Sequence, residues 1–202
     1  MAFKKLNTHL NEALEGLGFE GALPFQQKIL SKIKGGMNVY GFAPEGSGKT
    51  TAMIISTLQK LKSEAFEDAP RAVILVKDKD AALKLEEAFM PFIRRTSIRI
   101  FSAYEEHKVL NQINSIYEGV DIVIATPKRL SKIYFLNGIN LSQLQLFMIE
   151  DAEFISKSVV SAEIIRMTDS IKKCQYVIYA KQMDPKLEKF RDSFMAKSQV
   201  IK

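Results

Sequence analysis

The sequence predicts an α/β domain in three layers, a mainly parallel sheet with helices on both faces. Three observations carry that expectation. Short, almost wholly apolar runs of strand length recur along the chain, as strands covered on both sides require. Segments with apolar residues at helical spacing separate them. At one strand–helix junction, Asn38 to Thr50, stands a tight glycine-bearing loop.

Taken in order, Leu6, Leu10, Ala13, Leu14 and Leu17 recur at helical spacing, so a helix over 6–17 is ended by Gly18. A second helix, Phe25 to Ile33, follows Pro24 and stops at Gly35-Gly36. Asn38 to Ala43 is the first strand, and TAMIISTLQKLK the helix after its loop. An acidic hinge, SEAFEDAP, leads to a buried strand at Ala72 to Val76. Then come a helix over 80–90, a strand at Ser97 to Phe101, a helix at Glu105 to Tyr117 and a strand at Asp121 to Ala125. Pro127 opens a short helix to Tyr134. Leu144 to Ile149 is a strand, Ala162 to Ile171 a helix, Tyr176 to Ala180 a strand, Pro185 to Met195 a helix, and Gln199 to Ile201 a last strand. In such sheets ligands sit at the carboxyl ends of the strands.

With 202 residues, 47% hydrophobic and 26% charged, the chain is one large globular domain by composition, without repeats or long linkers. Cys174 is the sole cysteine, which excludes a disulfide framework and a thiolate metal site. No apolar run has the length of a membrane span, and MAFKKLNTHL lacks the apolar centre of a signal peptide. A cytoplasmic protein with no membrane partner is expected. The net charge of +6 permits a nucleic-acid partner, but the lysines are dispersed among glutamates. His9 and His107 lack neighbours at ligand spacing, and Phe89, Phe92 and Phe101 read as core rather than a base-stacking platform.

The loop Ala43-Pro44-Glu45-Gly46-Ser47-Gly48 ends in Lys49-Thr50-Thr51 and fits the pattern [AG]-x-x-x-x-G-K-[ST]. The two glycines take angles closed to other residues, so successive N–H groups turn inward and, with the positive helix end, hold a polyphosphate. Lys49 reaches the β- and γ-phosphates, and the Thr50 hydroxyl ligates Mg²⁺.

Several landmarks, in order, resemble the first of the two RecA-like domains of DEAD-box RNA helicases. Gly18-Phe19 with Leu23-Pro24-Phe25-Gln26 is similar to the family's adenine-recognising segment, here spanning 3–27. The match implies that Gln26 reads the adenine edge, with Gln27 as an alternative, and that Phe19 belongs to the nucleotide site. Residues 43–50 match the phosphate loop. Ala125-Thr126-Pro127-Lys128-Arg129-Leu130 resembles the T-P-G-R motif, so Thr126, Pro127, Lys128 and Arg129 are implied RNA contacts, with Lys79 beside them. Ile149-Glu150-Asp151-Ala152-Glu153 stands at D-E-A-D itself. ATP and Mg²⁺ are the implied cofactors, and RNA or a single-stranded nucleic acid the implied partner. Lys49, Glu150 and Asp151 are the implied catalytic set, with Thr50 and Glu150 on the metal.

The departures carry their own expectations. Every acid of D-E-A-D has changed length to E-D-A-E. Glu150 still reaches a hydrated Mg²⁺, while Asp151, a methylene short, withdraws its carboxylate by about 1 Å, a misplacement that costs around 10²-fold. The family's S-A-T segment reads Ala180-Lys181-Gln182, which leaves Glu153 without its hydroxyl partners, and P-T-R-E-L-A reads Lys77-Asp78-Lys79-Asp80-Ala81-Ala82. Lys128 replaces the glycine that lets backbone approach phosphate. The chain carries no second RecA-like domain, whose arginines are worth about 10³ to 10⁵ in rate, so that domain or a partner protein is expected to be needed for full activity. Two readings follow. The first is an ATP-binding, RNA-associated helicase-type domain with weak or partner-dependent hydrolysis. The second is a non-catalytic nucleotide-binding or interaction module on a helicase scaffold. A small-molecule P-loop kinase is disfavoured by the lack of an arginine-rich lid.

Overall fold

A computed structural model describes residues 3, 6–157 and 160–202; the sequence-predicted segment 3–27 therefore includes two residues, 4 and 5, outside the described ones. The chain runs α1 (Thr8–Gly16), α2 (Pro24–Lys34), β1 (Val39–Phe42), α3 (Lys49–Lys60), β2 (Ala72–Leu75), α4 (Lys79–Ile93), β3 (Ile100–Ala103), α5 (Val109–Tyr117) and β4 (Ile122–Ala125). It continues through α6 (Pro127–Phe135), β5 (Leu146–Ile149), a 3-10 turn (Ala152–Lys157), α7 (Val160–Thr168), β6 (Gln175–Ala180), α8 (Pro185–Glu188), a second 3-10 turn (Lys189–Asp192) and β7 (Gln199–Ile201).

The strands form one seven-stranded sheet in the order β3-β4-β2-β5-β6-β1-β7, with every pairing parallel. Successive strand residues face opposite sides, and the two cores divide accordingly. Val39, Ile74, Ile124, Met148 and Val177 pack with Leu10 and Leu14 of α1, Ile29 of α2, Met53 and Ile55 of α3, and Phe89 of α4. Tyr40, Val73, Val123, Phe147 and Ile178 pack with Ile113 of α5, Leu130 and Ile133 of α6, Ile164 of α7 and Leu187 of α8. Three layers result, as the apolar strand runs predict. Phe89 and Phe92 are buried in the first core. Phe101 lies against the second. Among the described residues no helix is long and apolar enough to cross a membrane.

Register decides what meets at the carboxyl edge. Phe42 is level with Ala180, Ile149 with Leu75, and Leu75 with Ala125. The residues just past β1, β2, β4, β5 and β6 therefore emerge together. At the opposite edge Asp121 is fully buried and receives Arg71 Nη2 at 2.7 Å, Arg99 Nε at 3.0 Å and the backbone N–H groups of Phe66 and Arg99 at 3.0 Å each. Burial alone would push its carboxyl up, but the two guanidiniums and the amides together hold it below the usual carboxylate range. The segment read as an acidic hinge is thus pinned to the sheet.

Several boundaries differ from the sequence expectation. The helix expected over Pro185–Met195 stops at Glu188, tightens to a 3-10 turn over Lys189–Asp192, and ends where Ser193 turns to φ −129°, ψ −124°. That turn brings Phe194 onto Tyr176 and Phe190, with ring centroids 4.7 and 4.8 Å apart. The third strand begins at Ile100 rather than Ser97, whose hydroxyl instead accepts from Ala65 N–H at 2.9 Å. The helix expected from Glu105 begins at Val109, because the carbonyls of Glu105 and His107 are taken by Arg129. The helix expected to end near residue 90 runs on to Ile93 through Pro91.

Candidate functional site

At the end of β1 the chain turns through Gly46 (φ +79°) and Gly48 (φ +80°), left-handed angles that favour glycine. Gly48 caps α3, whose first turn has no side-chain cap and no acidic residue, so its N–H groups and the positive helix end face the loop. A Cβ on Gly46 would meet nothing within 4 Å, whereas one on Gly48 would meet Gln26 Nε2 at 2.2 Å. The loop is therefore open above Gly46 and packed from beneath at Gly48. Ser47 Oγ donates to Pro44 O at 2.7 Å. Lys49 is buried, its ammonium donating to Ala43 O at 2.9 Å and Pro44 O at 3.0 Å and lying 3.8 Å from Asp151 Oδ1.

The acids follow β5. Thr50 Oγ1 donates to Glu150 Oε1 at 2.9 Å. Burial raises the Glu150 pKa and the neighbouring Asp151 charge adds to the rise, against the opposing Thr50 hydroxyl, Lys84 and Lys49. Asp151 is exposed and held at φ +44°. Glu153 accepts from the Lys181 backbone N–H, which substitutes for the missing hydroxyls. Lys181 Nζ, in turn, reaches Glu45 Oε1 at 2.7 Å. A cavity of about 420 Å³ opens here, lined by Glu45, Val76, Lys77, Glu150, Asp151 and Lys181 among others. A second cavity, lined by Tyr134, Phe135 and Arg166, carries no such acid–hydroxyl pair.

Gln26 is 2% exposed. Its Oε1 accepts from Leu23 N–H at 2.9 Å and its Nε2 donates to Gly48 O at 3.1 Å, so the carboxamide ties the start of α2 to the loop. Gln27 is exposed and bonds Ala22 O. The Phe19 ring packs against Phe92, with centroids 6.3 Å apart. Thr51 lies in the first turn of α3.

The second constellation sits past β4. Pro127 opens α6 beside Thr126, whose hydroxyl donates to Glu105 Oε2 at 2.6 Å. Arg129 is 5% exposed and its Nη2 donates to Glu105 O at 2.7 Å and His107 O at 3.0 Å, while Nε and Nη1 are buried without a partner. Lys128 is exposed, and the Lys79 ammonium lies 5.6 Å over the Tyr104 ring. The sequence reading missed Glu105. A lone acid past a strand carries no pattern, and only the chain reversal after β3 brings it to Thr126.

Among the described residues no group of three or more His, Cys, Asp or Glu is arranged to hold a metal. Mg²⁺ needs less, since it commonly takes one or two carboxylates and completes its shell with water and phosphate. The hard oxygens of Glu150 and Thr50, beside a loop open above Gly46, fit a magnesium-bound polyphosphate.

A family model described as DEAD/DEAH box helicase matches residues 23–183. An ATP-dependent RNA helicase, DBP10, of Phaeosphaeria nodorum is 30% identical over 159 residues, covering 79% of this chain and 18% of the relative. The ATP-dependent RNA helicase RhlB of Vibrio vulnificus is 29% identical over 153 residues, covering 73% of this chain and 35% of the relative. The chain thus spans well under half of either. A DEAD box protein from the hyperthermophile Methanococcus jannaschii superposes with a TM-score of 0.89 at 18% identity, covering 98% of this chain and 54% of that one. The fold is the RecA-like one of that family, and with the match over most of its length this chain belongs to the DEAD/DEAH box helicases.

Proposed function

We propose that this domain binds ATP with Mg²⁺, associates with single-stranded RNA, and hydrolyses ATP weakly unless a second RecA-like domain or a partner protein completes the site. The observation that carries the reading is the Thr50–Glu150 contact at the foot of an uncapped α3. The names of the relatives, ATP-dependent RNA helicases, agree with it.

Bound ATP supplies the phosphoryl group, and Mg²⁺ the charge that neutralises it. The chain's residues do the rest. Amides from Gly46 to Thr50 bind phosphate oxygens, with Pro44, Glu45 and Ser47 shaping the turn and Lys49 turning from Ala43 O and Pro44 O to the anion. Thr50 and Glu150 orient the metal. Asp151 accepts the proton of the attacking water. Gln26, buried with both ends of its carboxamide on backbone, supports the loop from beneath; it would read the adenine edge only by giving up its bond to Leu23 N–H or to Gly48 O. Lys128 and Lys79 meet RNA phosphates; Arg129, buried on the carbonyls of Glu105 and His107, holds the turn beneath them, and Thr126 joins once its hydroxyl leaves Glu105.

A second reading, a nucleotide-binding module without turnover, is favoured by one observation: the Asp151 carboxylate is directed at Lys49, 3.8 Å away, from a left-handed backbone. Steady-state ATP turnover with and without single-stranded RNA, on the wild type and Lys49→Ala, separates the two. RNA-stimulated turnover that needs Lys49 supports the first reading; magnesium-dependent binding without turnover selects the second.

A further inference from the structure

The register of β6 beside β1 puts an unlooked-for cation at the phosphate loop. Ala43 N–H donates to Ala180 O at 3.1 Å, so Lys181 emerges next to the first residue of the loop. Its backbone is fixed by the acceptor Glu153, and its ammonium lies on Glu45 Oε1 at 2.7 Å, across the mouth of the cavity that Glu150 and Asp151 also line. That wall is strongly acidic. Lys49 is buried on loop carbonyls, and Lys77 pairs with Asp78 at 3.6 Å. Lys181 and Glu45 are both more than half exposed, 53% and 80%, so their ion pair is screened and yields readily to a stronger anion. A triphosphate is such an anion, since charge-assisted bonds to phosphate oxygens formed partly out of water are among the strong ones.

Resting on the nucleotide reading above, we propose that Lys181 is a ligand of the terminal phosphate. On binding, its ammonium leaves Glu45 for the γ-phosphate, supplying from within this domain a positive charge that tells triphosphate from diphosphate. A diphosphate lacks that terminal group and so leaves the Lys181–Glu45 pair closed. The proposal thus assigns Glu45 a role as well: it parks the lysine at the cavity mouth between ligands.

Calorimetric titration of Mg–ADP and of the magnesium complex of β,γ-imido-ATP tests this without any turnover. Lys181→Met should weaken the triphosphate analogue about tenfold while ADP affinity moves by less than about twofold. Lys181→Arg should restore the preference. Glu45→Gln with Lys181→Met should stay as weak as Lys181→Met alone. An unchanged triphosphate-to-diphosphate ratio in Lys181→Met overturns the proposal. So does full recovery in the double variant, which would reduce Lys181 to a neutraliser of Glu45. If the wild type binds neither nucleotide, the nucleotide reading itself fails and this inference with it. Melting curves without nucleotide, unchanged in all three variants, exclude misfolding as the cause.

Discussion

Thr50 Oγ1 donates its hydrogen bond to Glu150 Oε1 at 2.9 Å, tying the first turn of α3 to the end of β5 across the intervening β6. A carboxylate pressed against a hydroxyl in a partly dry site is poised for a cation that the protein alone does not supply. Burial raises its pKa, so the folded chain is strained by the ionised form.

Glu150→Gln should therefore raise the melting temperature of the nucleotide-free protein while abolishing any magnesium-dependent gain in nucleotide affinity. For a chain of this length about 1 kcal/mol corresponds to roughly 2–4 °C. The sign follows from linkage. A carboxyl whose folded pKa lies above its unfolded value loses stability as pH rises through the folded pKa, so the gain should shrink below about pH 4, where both forms are neutral. A melting temperature lowered by the substitution, with magnesium dependence intact, would assign Glu150 to structure instead.

Asp121→Asn should be far more damaging. It leaves Arg71, 5% exposed, without its buried counter-charge, and breaking a buried pair costs about 3 kcal/mol or more. Asp121 has a depressed pKa, so its contribution is present above the unfolded carboxylate value near pH 4 and is lost as pH falls through the lower folded value. Acid unfolding of wild type and variant, followed by circular dichroism, should converge at low pH.

Gly48→Ala and Gly46→Ala separate backbone strain from close packing. Both positions are left-handed, which costs about 1–2 kcal/mol for a residue with a Cβ. Only at Gly48 does the Cβ also meet Gln26. Chemical denaturation should show Gly48→Ala to be the more destabilising, and Gln26→Ala should relieve part of its cost. Equal losses at the two glycines would mean that the Gln26 amide moves aside freely.

The layers, the element order and the carboxyl-edge site were legible in the sequence because they rest on apolar period and on a glycine-lysine loop whose physics is local. What depended on tertiary geometry was not. No periodicity separates Val109 as the start of α5 from Glu105, because that start is decided by Arg129 reaching back to two carbonyls. Nor could the spacing of Lys181 show that it meets Glu45, since the pair is 136 residues apart and is brought together by the β1–β6 register. Gln26 was read by resemblance as the adenine reader, and nothing in the sequence put it under the phosphate loop with both ends of its carboxamide on backbone.

The Glu105 carboxylate takes the Thr126 hydroxyl at 2.6 Å, beside the residues proposed above to meet RNA phosphates. Glu105→Gln should tighten single-stranded RNA by about fivefold at low salt, worth about 1 kcal/mol, with the gain fading as salt is raised. Fluorescence anisotropy with a labelled oligonucleotide reads both. Unchanged affinity would move the RNA path away from Thr126.

The most direct measurement is the thermal shift of the wild type and Lys49→Ala with Mg–ATP. Ligand at a hundredfold excess over its Kd stabilises the folded state by about 2.7 kcal/mol. The wild type should shift by several degrees, dependent on magnesium, and Lys49→Ala should lose the shift; a wild type whose melting ignores Mg–ATP, or a shift that survives the loss of Lys49, would mean that the loop is no phosphate cradle.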